Sequence, residues 1–195
     1  MNPYFLPNAM LAKITSKNQL TLPKSVTQAV GATEYFDVEA RAGQIILTPV
    51  RIQRGDAVRA KLAPPGLARP EDLVHRTGLQ IFEAIGNGEL PSVPIGATMD
   101  FWPIEFELGR AVFQGRPSAK YLNPMGTVHG GWIATLLDTC VGCAVHTTLP
   151  AGKGYTTAEL KISYIRALTP KTPLVRAEGK VINAGRQVGF AEGRL

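Results

Sequence analysis

Asp138 is the only Asp, Glu, Lys or Arg between Lys120 and Lys153. A carboxylate inside an apolar stretch is costly to bury unless it is hydrogen-bonded or put to use. In use, it serves as a general base or a nucleophile. Three structural readings stand beside the chemical one: a side chain facing solvent, one bonded to a nearby threonine such as Thr135, or one satisfying a loop. Upstream, Asn123-Pro124-Met125-Gly126-Thr127-Val128-His129-Gly130-Gly131 forms a polar, glycine-bearing loop that leads into the apolar stretch. Backbone N–H groups at a helix start lack intrahelical acceptors and favour negative charge. Glycine there lets a substrate atom approach the backbone, so the loop has the makings of an oxyanion hole for a carbonyl under attack. The same Gly-Gly also reads as an ordinary turn, and His129 as a hydrogen-bonded structural histidine.

Cys140-Val141-Gly142-Cys143 is a second candidate. A redox CxxC belongs at a helix start, where the dipole lowers the thiol pKa, whereas this one lies inside the apolar stretch. A zinc site could recruit His146, but a fourth ligand is not evident. The expected role is therefore small, buried packing residues, with no metal.

The elements that must position these residues follow from periodicity and breaks. Gly130-Gly131 opens a long helix from Trp132 to about Thr148, ended near Pro150 and Gly152. Leu79–Ile85 suits a short amphipathic helix ended by Gly86-Asn87-Gly88, and Ile104–Phe113 alternates as a half-buried strand. Three further strands are expected at Thr156–Arg166, Leu174–Ile182 and Gln187 to the end, the last two joined through Asn183-Ala184-Gly185-Arg186. One long helix followed by antiparallel strands implies an α+β fold, a sheet wrapped around that helix. Before Gly78, residues 10–51 hold short alternating runs broken by turn residues, with one helical turn or two at Ser25–Val30. Residues 52–77, with Ala63-Pro64-Pro65-Gly66 and Arg69-Pro70, read as a proline-stiffened linker after a tail at 1–9.

The chain of 195 residues is 45% hydrophobic and 18% charged, enough apolar material for a sizeable core without disulfides. Its two cysteines read as reduced thiols, and Met1–Met10 lacks the pattern of a secretion signal, which places the protein in the cytoplasm. Asp138 and the polar residues around it argue against a membrane span. The formal charge of +6 suits an anionic partner and a merely soluble surface equally.

The string Asn123, Gly126, His129-Gly130-Gly131 and Leu137-Asp138 resembles the hotdog-fold thioesterases of the phenylacetate-pathway (PaaI-like) type. Thr156-Thr157-Ala158-Glu159-Leu160 with Tyr164-Ile165-Arg166 resembles the family's next strand. Ala177-Glu178-Gly179 with Gly185-Arg186 resembles its final hairpin. The resemblance covers about residues 78–195. It implies acyl-CoA hydrolysis, with coenzyme A entering only as part of the substrate and no other cofactor. The Gly130 N–H would polarise the thioester carbonyl, with Gly131 beside it at the substrate. Asp138 from a facing subunit would act as base or nucleophile, and Asn123 would hold the water or the thioester. His129 would brace the loop, and Thr157 would bring a hydroxyl near the carboxylate. The site would be assembled across a homodimer, itself expected to pair as a dimer of dimers. The family's pattern adds another long strand after the point reached at Leu195, so the last strand is expected to be short or absent.

Residues 10–51 resemble a different family, the AbrB/MazE-type swapped-hairpin domains that dimerise and bind DNA. The resemblance rests on Thr15-Ser16-Lys17-Asn18-Gln19-Leu20-Thr21-Leu22-Pro23-Lys24, with Asn18 where a glycine is usual. Lys13, Ser16, Lys17, Gln19 and Lys24 are the expected phosphate contacts, with Arg51 and Arg54 extending the patch. Two functions follow. One is a thioesterase carrying a small N-terminal β-rich domain; the other is a DNA-binding regulator whose second domain senses acyl-CoA. Asp138 favours the first, since a pure sensor needs no carboxylate beside an oxyanion loop.

Overall fold

A computed structural model describes residues 12–17, 19–29, 35–50 and 59–195. The expected tail 1–9, the Asn18 turn, Gly31, Arg51 and Arg54 lie outside the described residues. The chain divides into two compact units, Met1–Ile52 and Gln53–Leu195.

In the first unit an isolated bridge joins Ile14 to Leu20. The short helix α1 (Lys24–Ala29) follows, and then the antiparallel hairpin of β1 (Tyr35–Arg41) and β2 (Gln44–Val50). Ala42 and Gly43 both take positive φ, 50° and 77°, the twist that closes a two-residue hairpin between right-twisted strands.

Among the described residues of the second unit, β3 (Ala63–Pro65) and α2 (Pro70–Leu73) fall within the expected linker, so part of it carries elements. Helix α3 (Gly78–Gly86) starts in a capping box. Gln80 N–H donates to Thr77 Oγ1 at 3.3 Å and Thr77 N–H to Gln80 Oε1 at 2.9 Å. Strand β4 (Pro91–Ser92) and helix α4 (Pro94–Met99) lead into the main sheet.

That sheet is antiparallel, in the order β5 (Phe101–Glu107), β6 (Arg110–Gly115), β7 (Val175–Ala184), β8 (Gly189–Arg194). The single strand expected over Ile104–Phe113 is instead the hairpin β5–β6. Its alternation runs on through Leu108, but Gly109 at φ 76° turns the chain, and Glu107 pairs with Arg110. The long helix α5 (Gly130–His146) lies on the inner face of the sheet. Trp132, Leu136, Cys140 and Ala144 from the helix meet Phe113, Ala111 and Ala177 from the strands in one buried cluster. Fully burying a side chain the size of Leu136 is worth about 1.5–3 kcal/mol.

The helix is pinned at both ends. Trp132 Nε1 donates to Met99 O at 2.7 Å. At the other end Thr147 Oγ1 donates to Ala144 O at 2.6 Å and accepts the Gly109 N–H at 2.8 Å, joining the β5–β6 turn to the helix terminus.

The strand expected at Thr156–Arg166 does not form; residues 155–165 are irregular and have no strand partner among the described residues. Tyr155, Thr157 and Tyr164 nevertheless all reach α5. Strand side chains alternate with a period of two, so residues of odd and even number cannot all point the same way from one regular strand. Local contacts to the helix replace the ladder.

Candidate active site

The loop before α5 is built on Asn123. Its Oδ1 accepts the backbone N–H groups of Met125 at 3.0 Å and Thr127 at 3.2 Å, and its Nδ2 donates to Thr127 Oγ1 at 2.7 Å. An Asn folding its own backbone back in this way is a turn former. Gly126, at φ 76°, completes the turn. One N–H of the Asn123 amide is thus engaged within the loop, which leaves the other as its remaining donor.

His129 caps the helix that follows. Gly131 N–H donates to its Nδ1 at 2.8 Å, and Trp132 N–H to its carbonyl at 3.0 Å. Its own N–H donates to Tyr121 O at 2.6 Å. With Nδ1 accepting, Nε2 is the ring nitrogen left to donate. Gly130 heads the helix, and its N–H has no partner among the described residues. The sequence-predicted oxyanion donor is therefore an unpaired N–H at the positive end of a 17-residue helix.

Asp138 lies two turns further along α5, half-buried. Of the readings open in the sequence, the observed partner is Thr157, whose Oγ1 donates to Asp138 Oδ1 at 2.9 Å. Thr135 instead donates to Gly131 O. Asp138 and Thr157 are thus brought together, as are His129, Gly130 and Gly131. The two groups lie apart, because eight residues of helix rise about 12 Å.

Two tyrosines escaped the sequence reading as site residues. Tyr164 Oη donates to Gly130 O at 3.0 Å, and its ring lies over the glycine; a Cβ on Gly130 would sit 3.1 Å from it. Tyr155 crosses Gly142 near the other end of the helix. Both are polar tips on a segment whose neighbours alternate, and no spacing ties residue 164 to residue 130. Only the presence of tyrosines facing glycines of a helix would have been a signal.

Both cysteines of the CxxC pair are buried inside α5. Burial pushes the Cys140 thiol up to about 12 and Cys143 higher still, with the Asp138 charge adding to both. Burial also lowers His146, which packs between Phe82 and Tyr155. Among the described residues no three His, Cys, Asp or Glu cluster as metal ligands, and no helix is long and apolar enough to cross a membrane.

Two cavities of the second unit lie elsewhere. One, about 320 Å³, is lined by His75, Arg76, Gln80 and Glu83; the other, about 270 Å³, by Arg59, Leu62, Val93 and Trp102. In the first unit Lys13, Ser16, Lys17 and Gln19 are exposed around the Ile14–Leu20 bridge, and Lys24 opens α1.

Residues 125–195 match a family model described as the thioesterase superfamily, a span that starts in the site loop and runs through α5 to β8. A protein of Halobacterium salinarum, provisionally named an esterase, is 41% identical over 69 residues, 34% of this chain and 44% of its own. A Caenorhabditis elegans protein with the same provisional name is 31% identical over 93 residues, 48% of this chain and 54% of its own. The chain thus spans about half the length of the curated relatives it matches. Among solved structures, a Ralstonia eutropha protein provisionally described as a thioesterase related to phenylacetic acid degradation is 25% identical. It aligns with a TM-score of 0.53 over 57% of this chain and 85% of that one. The E. coli PaaI protein, from the phenylacetic acid degradation operon, shares the fold at 20% identity and a TM-score of 0.50, over 60% and 80% of the two chains.

Proposed function

We propose that the second unit hydrolyses acyl-CoA thioesters, with aromatic or medium-chain acyl groups, at a site completed by a second copy of the chain. The observation that carries this reading is Asp138, held by Thr157, on the same helix whose first turn leaves the Gly130 N–H unpaired. The thioesterase-superfamily match over residues 125–195 supports the same chemistry.

In this reading the thioester carbonyl oxygen docks on the Gly130 N–H, where the helix dipole stabilises the charge it gains under attack. Asp138 removes a proton from water, the water oxygen bonds to the carbonyl carbon, the C–S bond breaks, and the thiol takes up the proton. The alternative course is direct attack by the carboxylate, giving an acyl-carboxylate anhydride that water then cleaves. The Thr157 hydroxyl holds Asp138 in one rotamer, and Asn123 and His129 hold the loop and the helix cap.

The spacing along the helix supports a shared site. Gly130 and Asp138 are about 12 Å apart along one axis and about 80° apart around it. A donor, a carbonyl and an attacking water in hydrogen-bonded sequence span less. In this reading, as the family resemblance implies, one thioester is served by Gly130 of one copy and Asp138 of another, and the spacing along the helix supports a homodimer as the smallest active form.

The test is thiol release from a panel of aryl and aliphatic acyl-CoA substrates, with the wild type and Asp138→Asn. Turnover by the wild type, lost in the variant, is the expected result. A folded, dimeric wild type that cleaves none of the panel sinks the reading.

A further inference from the structure

We infer that Tyr164 is a positioning residue for the oxyanion donor: its hydroxyl and ring fix the Gly130–Gly131 peptide so that the Gly130 N–H points at the substrate. The inference deepens the thioesterase reading and rests on it for the catalytic consequence, though not for the geometry.

Two glycines in succession give the chain its greatest backbone freedom at the point where the donor must be aimed. Beside the helix's own ladder, three bonds restrict that freedom. The His129–Gly130 peptide is held at its carbonyl by the Trp132 N–H at 3.0 Å. The Gly130–Gly131 peptide is held at its N–H by His129 Nδ1, at 2.8 Å, and at its carbonyl by Tyr164 Oη, at 3.0 Å. Gly130 Cα is the pivot between these two peptides. The first two bonds come from the helix cap itself. Only the third comes from elsewhere in the fold, across 34 residues of chain.

The ring adds a steric stop. A Cβ at Gly130 would lie 3.1–3.3 Å from three atoms of the phenol, so the ring is seated directly on the glycine. Tyr164 is nonetheless 55% exposed. It contributes little to the core, and an exposed large aromatic held by one specific hydrogen bond is better explained by what it holds than by its own burial. The same irregular segment carries Thr157, which holds Asp138. One stretch of chain therefore orients both groups that the reaction needs.

The test uses the full chain and Tyr164→Phe, which keeps the ring and loses the hydroxyl. Misplacing a catalytic group by a fraction of an ångström costs rate rather than substrate affinity, so kcat is expected to fall about tenfold while KM changes less than twofold. Independently of activity, the amide resonances of Gly130 and Gly131 are expected to move in the NMR spectrum of the variant, with its melting temperature unchanged. Unmoved amide resonances overturn the assignment whatever the kinetics show. Wild-type kcat in a variant whose resonances have moved overturns the catalytic consequence. Absence of turnover in the wild type sinks the thioesterase reading alone, and the amide spectrum still decides for or against Tyr164.

Discussion

The Thr157 hydroxyl donates a 2.9 Å hydrogen bond to Asp138 Oδ1 from 19 residues further along the chain. That bond converts a costly carboxylate on an apolar helix into an oriented one. It also ties the irregular segment 155–165 to the middle of α5.

Thr157→Val keeps the side-chain shape and removes the donor. A hydrogen bond to a charged group is worth about 1.5–3 kcal/mol, so thioester turnover is expected to fall about ten- to a hundredfold with the fold intact. Steady-state kinetics beside a circular dichroism melt would check it. Unchanged kcat would mean that the hydroxyl plays no part in orienting Asp138.

A close approach of helix to sheet predicts a second effect. A Cβ on Gly179 of β7 would come within 2.6 Å of the Cys140 carbonyl carbon and 2.8 Å of the Val141 nitrogen. These are backbone atoms in the middle of α5 and cannot rotate aside. Gly179→Ala is expected to destabilise the second unit by about 1–3 kcal/mol, read in chemical denaturation. A neutral or stabilising result would show that α5 does not press on β7 at this glycine.

Charge on the outer face of the sheet gives a pH dependence. Burial works to raise the Glu178 carboxyl, but Arg110, with Lys180 and Arg176, outweighs it and holds the group below its ordinary value of 4.5. A depressed carboxylate contributes stability above its unfolded pKa and loses it as pH falls through the folded one. The stability gap between wild type and Glu178→Gln should therefore be widest near neutral pH. It should close as pH drops below about 4.5. Melting temperatures at a series of pH values read this directly, and a gap that persists to the lowest pH would remove Glu178 as its source.

How much of this was legible in the sequence depends on whether the cause was local. Helix α5 was, because Gly130-Gly131 opens it, an apolar run fills it and Pro150 lies just beyond its end. The β7–β8 hairpin was too, from alternation on both sides of Gly185. The β5–β6 turn was not: the apolar alternation passes through Leu108, and a lone glycine at 109 was too weak a signal against it. The segment 156–166 has the composition of a strand, yet a strand is made by its neighbour, and no local pattern reports whether one is present. Asp138 stood out by type and spacing and the Gly130-Gly131 pair by its place at the helix start, whereas Thr157 entered only through the family resemblance. Tyr164 and Tyr155 did not stand out, because their contacts are with glycines, which leave no side chain to pattern against.

Cys140 and Cys143 lead to a negative chemical prediction. With both thiols held far above neutral pH by burial, thiolate is scarce and access is closed. Neither should react with an aromatic disulfide reagent at pH 8 until denaturant is added, when both should react together. Fast labelling of the native protein would show that the α5 face against the sheet opens readily.

His129 gives the sharpest separation of cap from chemistry. Its Nδ1 accepts the Gly131 N–H at 2.8 Å, the role an Asn side chain fills at a helix N-cap. His129→Asn should therefore keep the melting temperature, whereas His129→Ala should lose about 0.5–2 kcal/mol of stability. If the imidazole only caps the helix, the Asn variant retains turnover as well. If Nε2–H also meets the thioester, turnover falls in both variants while stability falls in one. Paired melts and kinetics on the two proteins distinguish these cases. A His129→Ala protein as stable as the wild type would show that the first turn of α5 does not depend on this cap.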